Sequence, residues 1–385
     1  MPIVPLRRLQ GLAAILLLGA GLAACSTTAT AHARAGRHLA NPPRHVFLIV
    51  LENEPFQVTF GKHSPAPYLA HELPGQGALL THYYAIGHDS LDNYIAMISG
   101  QAPNPATQED CHVYSEFVRS APGFDANGQI RGTGCIYPAD VETLANQLQD
   151  AGFTWKGYME DMGNDPTREA TACGHAKIGE VDATNHPSDK DQYADKHDPF
   201  VYFHSIIDDA ANCAAHVVNL DMLTSDLESI ETTPNFAFIT PNLCHDGHDA
   251  PCKNGEPGGL VSADKFLRDW VPRILAAPAF KQDGVLIITF DEGTDAAACC
   301  GETRPRGAPK PGKSGPGGGR IGAVVISPFV KPGTVSNRRY NHYSLLRSIE
   351  DWFGLPHLGY AGRRGLRPFG TDVFSHDTAT QGTRP

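Results

Sequence analysis

An α/β fold with a mostly parallel central sheet, helices on both faces and long loop insertions is predicted by two features of the sequence. Residues 45–51, 284–290 and 321–327 are apolar runs of strand length with little polar alternation, which is typical of strands covered on both faces. Amphipathic helical segments alternate with such strands along the chain, as the connections between parallel strands require.

Turn residues and caps delimit the elements in chain order. A helix is predicted at 90–98, and Asp140 is the expected N-cap of a second helix that ends before Gly152. Two long stretches without periodicity, 101–139 and 160–200, are expected to be insertions rather than separate domains. The remaining predicted elements are strands at 45–51, 153–159, 235–240, 284–290 and 321–327, and helices at 262–276 and 343–353.

Composition excludes one class of protein and disfavours another. At 385 residues and 41% hydrophobic content the chain has enough apolar side chains for a large core, so an intrinsically disordered protein is excluded. The length allows two or three domains, although one α/β domain with long insertions fits it equally well. With 31 basic and 42 acidic residues the net charge is −11, the opposite of what phosphate-backbone binding favours, so we expect no nucleic acid partner.

The first residues predict export. Arg7 and Arg8 precede an apolar run at 12–24 that is too short and too rich in Ala and Gly for a membrane span. Residues 1–24 therefore have the features of a secretory signal peptide, with a basic start, an apolar middle and small residues at the end.

The end of this signal predicts a lipid anchor. The run closes in LAACS, which resembles a bacterial lipobox, so Cys25 is the expected first mature residue and site of acylation. Cleavage at a later A-x-A site, 31–33, is the alternative. Residues 25–43 are predicted to be a flexible tether, and we expect a periplasmic or cell-surface protein held on the membrane through Cys25.

Eight further cysteines suggest disulfides, since an even number in an exported chain is typical of a disulfide framework. Proximity in the chain favours three pairs, and the adjacent Cys299 and Cys300 form either a vicinal bridge or free thiols. The three favoured pairs are Cys111–Cys135, Cys173–Cys213 and Cys244–Cys252.

Polar clusters follow three predicted strands directly. Glu52 and Asn53 come after the first strand, Asp291 and Glu292 after the strand at 284–290, and a His-Asp-rich segment after the strand at 235–240. Each alone is more often a turn or a cap. Because the carboxyl ends of parallel strands share one sheet edge, the three together favour a metal site.

Ser90 lies in GHDSLDNYIAMISG, at the predicted start of a helix. A hydroxyl there is often simply an N-cap. The same position concentrates free backbone N–H groups that suit a phosphate, and a nearby divalent cation would let the hydroxyl attack phosphorus. Asn93, one turn further, is placed to donate to a phosphoryl oxygen.

At this point the sequence resembles a known family. HVFLIVLENEPF, HDSLDNYIAMISG, KHDPFVYF, TPNLCHDGHD, LIITFDEG and YNHYSLLRSIEDWFGLP occur in the order found in the bacterial and fungal phosphoesterases. That family includes acid phosphatases and non-specific phospholipases C and belongs to the alkaline phosphatase superfamily. The resemblance implies an alkaline phosphatase-like phosphoesterase domain at 44–360, followed by a C-terminal tail at 361–385.

The resemblance also implies roles for individual residues. Ser90 would be the nucleophile that becomes phosphorylated, and Asn93 would bind a phosphoryl oxygen. His248 would contact phosphate or protonate the leaving group, with Asp246 and His342 as further substrate-binding residues. Arg320 stands where many relatives carry His, and its guanidinium is expected to clamp phosphate. The implied metal ligands are Glu52, Asn53, Ser90, Asp291 and Glu292.

These residues define an expected chemistry. An oxygen-rich ligand set favours a divalent cation such as Mg²⁺, Mn²⁺ or Ca²⁺. Zn²⁺ becomes a better match if a His is also a ligand. The first expectation is a metal-dependent phosphoric ester hydrolase of the acid phosphatase kind that acts on a phosphate-ester small molecule through a phosphoserine. Phospholipase C-type cleavage of a phospholipid is the alternative, and a non-catalytic surface-binding lipoprotein is a third.

Overall fold

The computed structural model describes residues 42–301 and 316–374. The predicted signal peptide, the proposed acylation site Cys25 and nearly all of the predicted tether lie outside these ranges. Within them, no helix combines the length and the apolar character that crossing a lipid bilayer requires.

One large sheet organises the described residues. Eight strands pair in the order β10-β2-β9-β8-β1-β7-β5-β6, and β3 and β4 form a separate hairpin. The strands are β1 (His45–Leu51), β2 (Ala78–Tyr84), β3 (Val118–Phe124), β4 (Ile130–Thr133), β5 (Trp155–Met159), β6 (Val217–Asn219), β7 (Phe236–Thr240), β8 (Gly284–Phe290), β9 (Ala323–Ile326) and β10 (Thr334–Asn341).

Helices flank this sheet in two groups. The third, fourth and tenth helices contact one another, and the eighth and ninth contact each other, with the ninth also touching β1 and β8. The helices are α1 (Phe56–Thr59), α2 (Leu73–Gln76), α3 (Ser90–Ser99), α4 (Leu144–Asp150), α5 (His204–Ile207), α6 (Ala210–His216), α7 (Met222–Asp226), α8 (Gly259–Ala276), α9 (Pro278–Asp283) and α10 (His342–Phe353). The α/β fold with a mostly parallel sheet is thus confirmed.

Strand β9 is the exception to the parallel pattern. It pairs antiparallel with both β8 and β2, whereas the other neighbouring strands of the sheet run parallel. The sequence predicted a parallel strand here, because a short apolar run does not reveal its direction. As a consequence, the residues that precede β9, rather than those that follow it, lie at the carboxyl edge of the sheet.

The centre of the sheet sets the position of the site. All residues of β1 and β8 are buried, as their unbroken apolar sequences predict. Their register pairs Leu51 with Phe290, so the next residues, Glu52 and Asp291, leave the sheet side by side.

Several strands are absent from the sequence prediction. β10 reads TVSNRRYN and lies at the end of the sheet, where four of its eight residues are exposed and the apolar signal is weak. β2 carries Thr and His in its middle, and β3 and β4 lie inside the first predicted insertion. Their pairing depends on neighbouring strands, which local periodicity does not encode.

Helix α4 begins later than predicted. Thr143, not Asp140, is its N-cap: the Thr143 hydroxyl accepts the Asn146 N–H at 3.3 Å, and the Asn146 side chain accepts the Thr143 N–H at 2.9 Å. Asp140 pairs instead with Arg119 of the β3–β4 hairpin.

Replacing Thr143 by alanine is expected to destabilise the fold by about 1 kcal/mol, since the hydroxyl half of the capping box is lost. Urea unfolding measures the change. An Asp140→Ala variant, matched in position but outside the cap, should change stability by less than about 0.5 kcal/mol. The reverse order would show that Asp140 is the working cap.

Four disulfides join the eight described cysteines. The structure contains the three pairs that proximity favoured, and it also bridges Cys299 to Cys300. The first two bridges tie down the insertions at 101–139 and 160–200, whose loops would otherwise have few constraints.

The packed domain extends past the boundary predicted at 360. Phe369, Val373 and Phe374 are buried, and the rings of Phe369 and Phe374 pack against Trp352 of α10. The first part of the predicted tail is therefore part of the core, and residues 375–385 lie outside the described ranges.

Candidate active site

Ser90 and Glu52 form the centre of the site. Ser90 is the first residue of α3, one position beyond the N-cap residue Asp89, and its Oγ donates a hydrogen bond to Glu52 Oε2 at 3.0 Å. Both side chains are buried. The hydroxyl therefore does not act as the N-cap that its position also suggested.

Asn53 and Asp291 complete this centre. The Asn53 side-chain amide donates to Glu52 Oε2 at 2.8 Å, and its backbone N–H donates to Asp291 Oδ1 at 3.0 Å. The structure thus brings together Glu52, Asn53, Ser90 and Asp291 from three separate parts of the chain, as the ends of β1 and β8 and the start of α3 predict.

The backbone around this centre is strained. Asn53, Asp89, Asp110 and Cys111 all have positive φ, between 49° and 62°. Non-glycine residues adopt this region at a cost, and such residues concentrate at functional sites where the surrounding structure holds them. Here Asn53 directly follows Glu52 and Asp89 directly precedes Ser90, while the Asp110 carboxylate accepts the Leu91 N–H.

Orphaned buried oxygens show that the residues fit a divalent cation. Glu52 Oε1 and Asp291 Oδ2 are buried and make no hydrogen bond, although carboxylate oxygens in a protein interior are normally paired. His197 Nε2, 2.9 Å from Glu52 Oε1, also makes no hydrogen bond. Burial raises the pKa of both groups, and for Asp291 the nearby Glu52 charge raises it well above its ordinary value. A hard cation beside these oxygens would satisfy them.

Through its carboxylate, Glu292 contacts His88 and not the groups around Ser90. Its backbone N–H donates to Asp291 Oδ1 at 2.5 Å, while its carboxylate Oε2 contacts His88 Nδ1. Burial and the charge of Asp291 raise the pKa of Glu292 to about 11. The predicted role of Glu292 as a ligand stays a prediction, and its carboxylate is held by His88 of the Ser90 loop.

His197 joins the centre, although sequence reasoning did not assign it a role. Its Nε2 lies 2.9 Å from Glu52 Oε1, its Nδ1 lies 3.4 Å from Asp246 Oδ2, and its ring stacks on Tyr94 at 5.1 Å between centroids. A ligating imidazole typically gives its other N–H to a carboxylate, so Asp246 would orient this ring. The KHDPF motif was the signal in the sequence that could have identified this residue. An imidazole nitrogen among the ligands favours Mn²⁺ or Zn²⁺ over a cation bound by oxygen alone.

His248 and Asp246 line the neighbouring loop. Asp246 is buried and its Oδ1 accepts the His248 backbone N–H at 2.8 Å. His248 is more open, and its Nδ1 hydrogen-bonds Asp249 Oδ1 at 2.8 Å. That bond raises the pKa of His248 to about 9, with help from the Glu52 and Asp246 charges, so the ring holds a proton at neutral pH.

Asn93 contacts the loop before the helix. Its Oδ1 accepts the N–H groups of Ile86 and Gly87 at 2.9 and 3.2 Å, and its Nδ2 donates to the carbonyls of Gly87 and Asp89 at 3.2 Å. Both ends of the amide are therefore engaged in holding the Ser90 loop. The predicted contact with a phosphoryl oxygen stays a prediction.

His342 lies beneath the centre. Its Nε2 donates to the Asp291 carbonyl at 2.6 Å, and its Nδ1 accepts from the Tyr83 hydroxyl at 3.1 Å. Burial lowers the pKa of His342 to about 4, so the ring is neutral. These contacts are those of a positioning residue, and the predicted contact with phosphate remains untested.

Arg320 precedes β9 and so reaches the carboxyl edge of the sheet. Its Nε donates to the Thr81 carbonyl at 2.7 Å, and the guanidinium lies 4.0 Å from the centre of the Phe56 ring. The predicted phosphate clamp stays a prediction, since these contacts already hold the side chain.

A second group of possible ligands does not offer a metal site. Cys244, His245 and Glu256 lie close enough to share an ion. However, the Cys244 sulfur is bonded to Cys252, so no thiolate is available there.

Comparison with known proteins identifies the family of this chain. The model of the Phosphoesterase family matches residues 62–356, which is most of the chain. The chain belongs to the Phosphoesterase family. The resemblance read from the motifs is therefore confirmed, and the matched region includes Ser90, Asp291 and the segment that carries His197.

Curated relatives of this phosphoesterase are phosphatases. A probable acid phosphatase from Kluyveromyces lactis is 26% identical over 316 residues, which cover 82% of this chain and 59% of that protein. A phosphatidylinositol-3-phosphatase from Mycobacterium tuberculosis is 25% identical over 323 residues, which cover 82% of this chain and 79% of that protein. The chain thus spans about three-fifths of the length of the fungal relative.

One solved structure that matches this chain is a protein of the alkaline phosphatase superfamily. The protein, from Vibrio parahaemolyticus, has a TM-score of 0.48 and 14% sequence identity, and the match covers 87% of this chain and 73% of that chain.

Proposed function

We propose that this phosphoesterase is a metal-dependent phosphoric ester hydrolase that works through a phosphorylated Ser90. The observation that carries the proposal is the hydrogen bond from Ser90 Oγ to Glu52 Oε2, made in a buried site beside carboxylate oxygens that lack donors. Family membership and the phosphatase names of the relatives support the same reaction class.

The cation would be held by Glu52, Asn53, Asp291 and the Ser90 hydroxyl, with His197 as a further donor. When bound, it supplies Lewis-acid stabilisation of negative charge at the phosphoryl group. The donor set contains both carboxylate oxygen and imidazole nitrogen, so Mg²⁺, Mn²⁺ and Zn²⁺ are the ions to test.

The chain's own residues divide the remaining work. Glu52 Oε2 accepts the hydrogen bond of the Ser90 hydroxyl and is placed to hold the proton as Oγ attacks phosphorus. The bond from phosphorus to the alcohol oxygen breaks, and His248, protonated at neutral pH, gives its proton to that oxygen. The neutral His248 then takes a proton from the water that attacks the phosphoserine, the bond from phosphorus to Ser90 Oγ breaks, and Glu52 returns its proton to Oγ. Phosphate is freed, and Ser90, Glu52 and His248 return to their starting states.

Phosphomonoesters are the proposed first substrate class, and phospholipids are the alternative. The acid phosphatase relatives favour the first, while the name of the mycobacterial relative indicates a phosphate monoester on a lipid headgroup. Comparing p-nitrophenyl phosphate with phosphatidylcholine separates phosphatase from phospholipase C-type activity. A non-catalytic lipoprotein would release product from neither.

We also propose that the mature protein is exported and held on a membrane through acylated Cys25. The LAACS sequence supports the anchor, and four disulfides fit an oxidising compartment. Metabolic labelling with a palmitate analogue tests it, with a Cys25→Ala variant as the control that should stay unlabelled.

Trapping the intermediate tests the proposed reaction. After rapid acid quench with p-nitrophenyl phosphate, we expect a phosphate adduct on the peptide that contains Ser90, because attack by Oγ leaves the phosphoryl group there. A His248→Asn variant, which removes the proton donor and the later base, should change the amount of trapped adduct. Hydrolysis without any adduct in either protein would argue for direct attack by water.

A further inference from the structure

Lys196 and Asp110 form a largely buried ion pair beside the nucleophile. Lys196 Nζ lies 2.9 Å from Asp110 Oδ2, and the side chains are 11% and 12% exposed. The other carboxylate oxygen, Oδ1, accepts the backbone N–H of Leu91 at 3.0 Å. The pair therefore touches the backbone one residue after Ser90, where a phosphate would otherwise find a free N–H group.

The two insertions bring this pair into place. Asp110 and Cys111 both have positive φ, and Cys111 is bonded to Cys135, so the first insertion is held in a strained conformation that delivers the carboxylate. Lys196 comes from the second insertion, next to His197 in the KHDPF motif. Neither residue has a role in the proton transfers described above.

Burial and the neighbouring charges shift the pKa of each member of this ion pair in opposite directions. Burial by itself would lower the pKa of Lys196, but Asp110 and Glu52 raise it overall. Burial by itself would raise the pKa of Asp110, but Lys196 and the Leu91 N–H lower it overall. The Lys196 charge also acts on Glu52, Asp291 and His248, so it belongs electrostatically to the same site.

We propose that the Asp110–Lys196 pair determines the preference for doubly charged phosphate monoesters: Lys196 cancels the Asp110 charge beside Ser90 and so allows a dianion to bind there. This inference rests on the proposed hydrolase function. Lys196 is therefore a specificity-determining residue. It acts on the substrate by neutralising Asp110 and by adding positive electrostatic potential at the site.

The physical basis is the charge of the substrate. At a pH well above ~6, the second pKa of a phosphate monoester, the monoester carries close to two negative charges on its phosphoryl group, whereas a diester carries one. Coulomb energy scales with the product of the charges. An added or removed charge beside Ser90 therefore changes the binding free energy of a monoester about twice as much as that of a diester. The selectivity ratio between the two substrates therefore reports the charge at this pair.

The test is a double-mutant cycle with Lys196→Met, Asp110→Asn and the double variant. For each protein, kcat/KM is measured at pH ~7.5 for p-nitrophenyl phosphate and for bis(p-nitrophenyl) phosphate. If the diester is not turned over, its inhibition constant against p-nitrophenyl phosphate hydrolysis replaces kcat/KM.

The single variants are expected to shift selectivity in opposite directions. Lys196→Met should lower the monoester-to-diester ratio by about tenfold, because it leaves Asp110 unpaired beside the dianion. Asp110→Asn retains an acceptor for the Leu91 N–H and should raise the ratio, and the double variant should return it to within about threefold of wild type. Lys156→Met, which breaks the comparable Lys156–Asp226 pair at 2.6 Å, is the matched control and should leave the ratio unchanged.

The outcomes separate the two proposals. Suppose that wild type hydrolyses either ester and that Lys196→Met and Asp110→Asn both keep the wild-type monoester-to-diester ratio. The pair is then merely structural, and the inference is overturned. If Lys196→Met does not fold, Lys196→Arg, which should keep the wild-type ratio, and Asp110→Asn, which should raise it, decide the matter. If folded wild type hydrolyses neither ester with Mg²⁺, Mn²⁺ or Zn²⁺ present, the proposed function itself fails.

Discussion

Replacing Ser90 by alanine is expected to abolish phosphate ester hydrolysis, with a fall in kcat/KM of about 10⁴-fold or more, as is typical when a covalent nucleophile is removed. The loss follows because the hydroxyl that donates to Glu52 Oε2 at 3.0 Å is the only group of this centre proposed to bond to phosphorus. The measurement is the steady-state rate of p-nitrophenyl phosphate hydrolysis by the variant. The inhibition constant of inorganic phosphate against any hydrolysis that remains is measured with it.

A matched control is available on the same helix. Ser99 lies at the other end of α3, and its Oγ donates to the Ile95 carbonyl at 2.7 Å. Ser99→Ala should keep activity within about threefold of wild type, since it removes only two local hydrogen bonds, the second being the one that Oγ accepts from the Gln101 N–H at 3.2 Å. If Ser90→Ala were to lose less than tenfold, the nucleophile would have to be sought elsewhere and the phosphoserine scheme would be wrong.

Removing the divalent cation is expected to abolish activity and also to destabilise the fold. Glu52 Oε1 and Asp291 Oδ2 are buried without donors, so in the absence of a cation two carboxylates repel each other in the interior. Asp291→Asn should lower kcat/KM by more than the roughly 10–100-fold that is typical of residues behind the ligands. In excess chelator, however, the same variant should unfold at higher temperature than wild type, because it removes a carboxyl group whose ionised form burial and the Glu52 charge disfavour in the folded protein.

The pH dependence of the chelated protein follows from the direction of the shift. Burial and the Glu52 charge hold the pKa of Asp291 well above 3.8 in the folded protein. The folded state therefore binds more protons than the unfolded state, and stability should decrease as pH rises from about 4 towards the raised pKa. Saturating Mg²⁺, Mn²⁺ or Zn²⁺ should flatten this dependence.

Thermal unfolding with and without chelator measures both effects. Asp283→Asn is the control, because Asp283 pairs with His45 at the amino ends of β8 and β1, away from the site. This substitution should change the unfolding temperature by the same amount with and without chelator. Full activity in chelator, combined with a midpoint that no divalent cation changes, would rule out the metal centre.

Much of the fold was predictable because it depends on local pattern. β1 and β8 are continuous apolar runs, and the structure ends them at the residues where the sequence turns polar. β10 and the direction of β9 were not predictable, since a half-exposed strand at the end of a sheet and the direction of a short strand are decided by neighbouring strands.

The site divides along the same line. Glu52, Asn53 and Asp291 were found because parallel strand ends share an edge, and Ser90 because it begins a helix. His197 and the Asp110–Lys196 pair were not assigned, because they come from insertions whose path has no periodic signal. The structure also engages the Asn93 amide with the Ser90 loop and the His342 ring with the Asp291 backbone, which spacing in the sequence does not reveal.

By itself the sequence determined that β1 and β8 are buried strands, which polar residues follow them, and that a serine begins a helix, because each of these depends on residues close together in the chain. Only the tertiary structure decided which atoms meet. Ser90 and Glu52 are 38 positions apart, and Lys196 and Asp110 are 86 apart. Their contacts require a precision of about 0.5 Å that comes only from the packing of the whole domain.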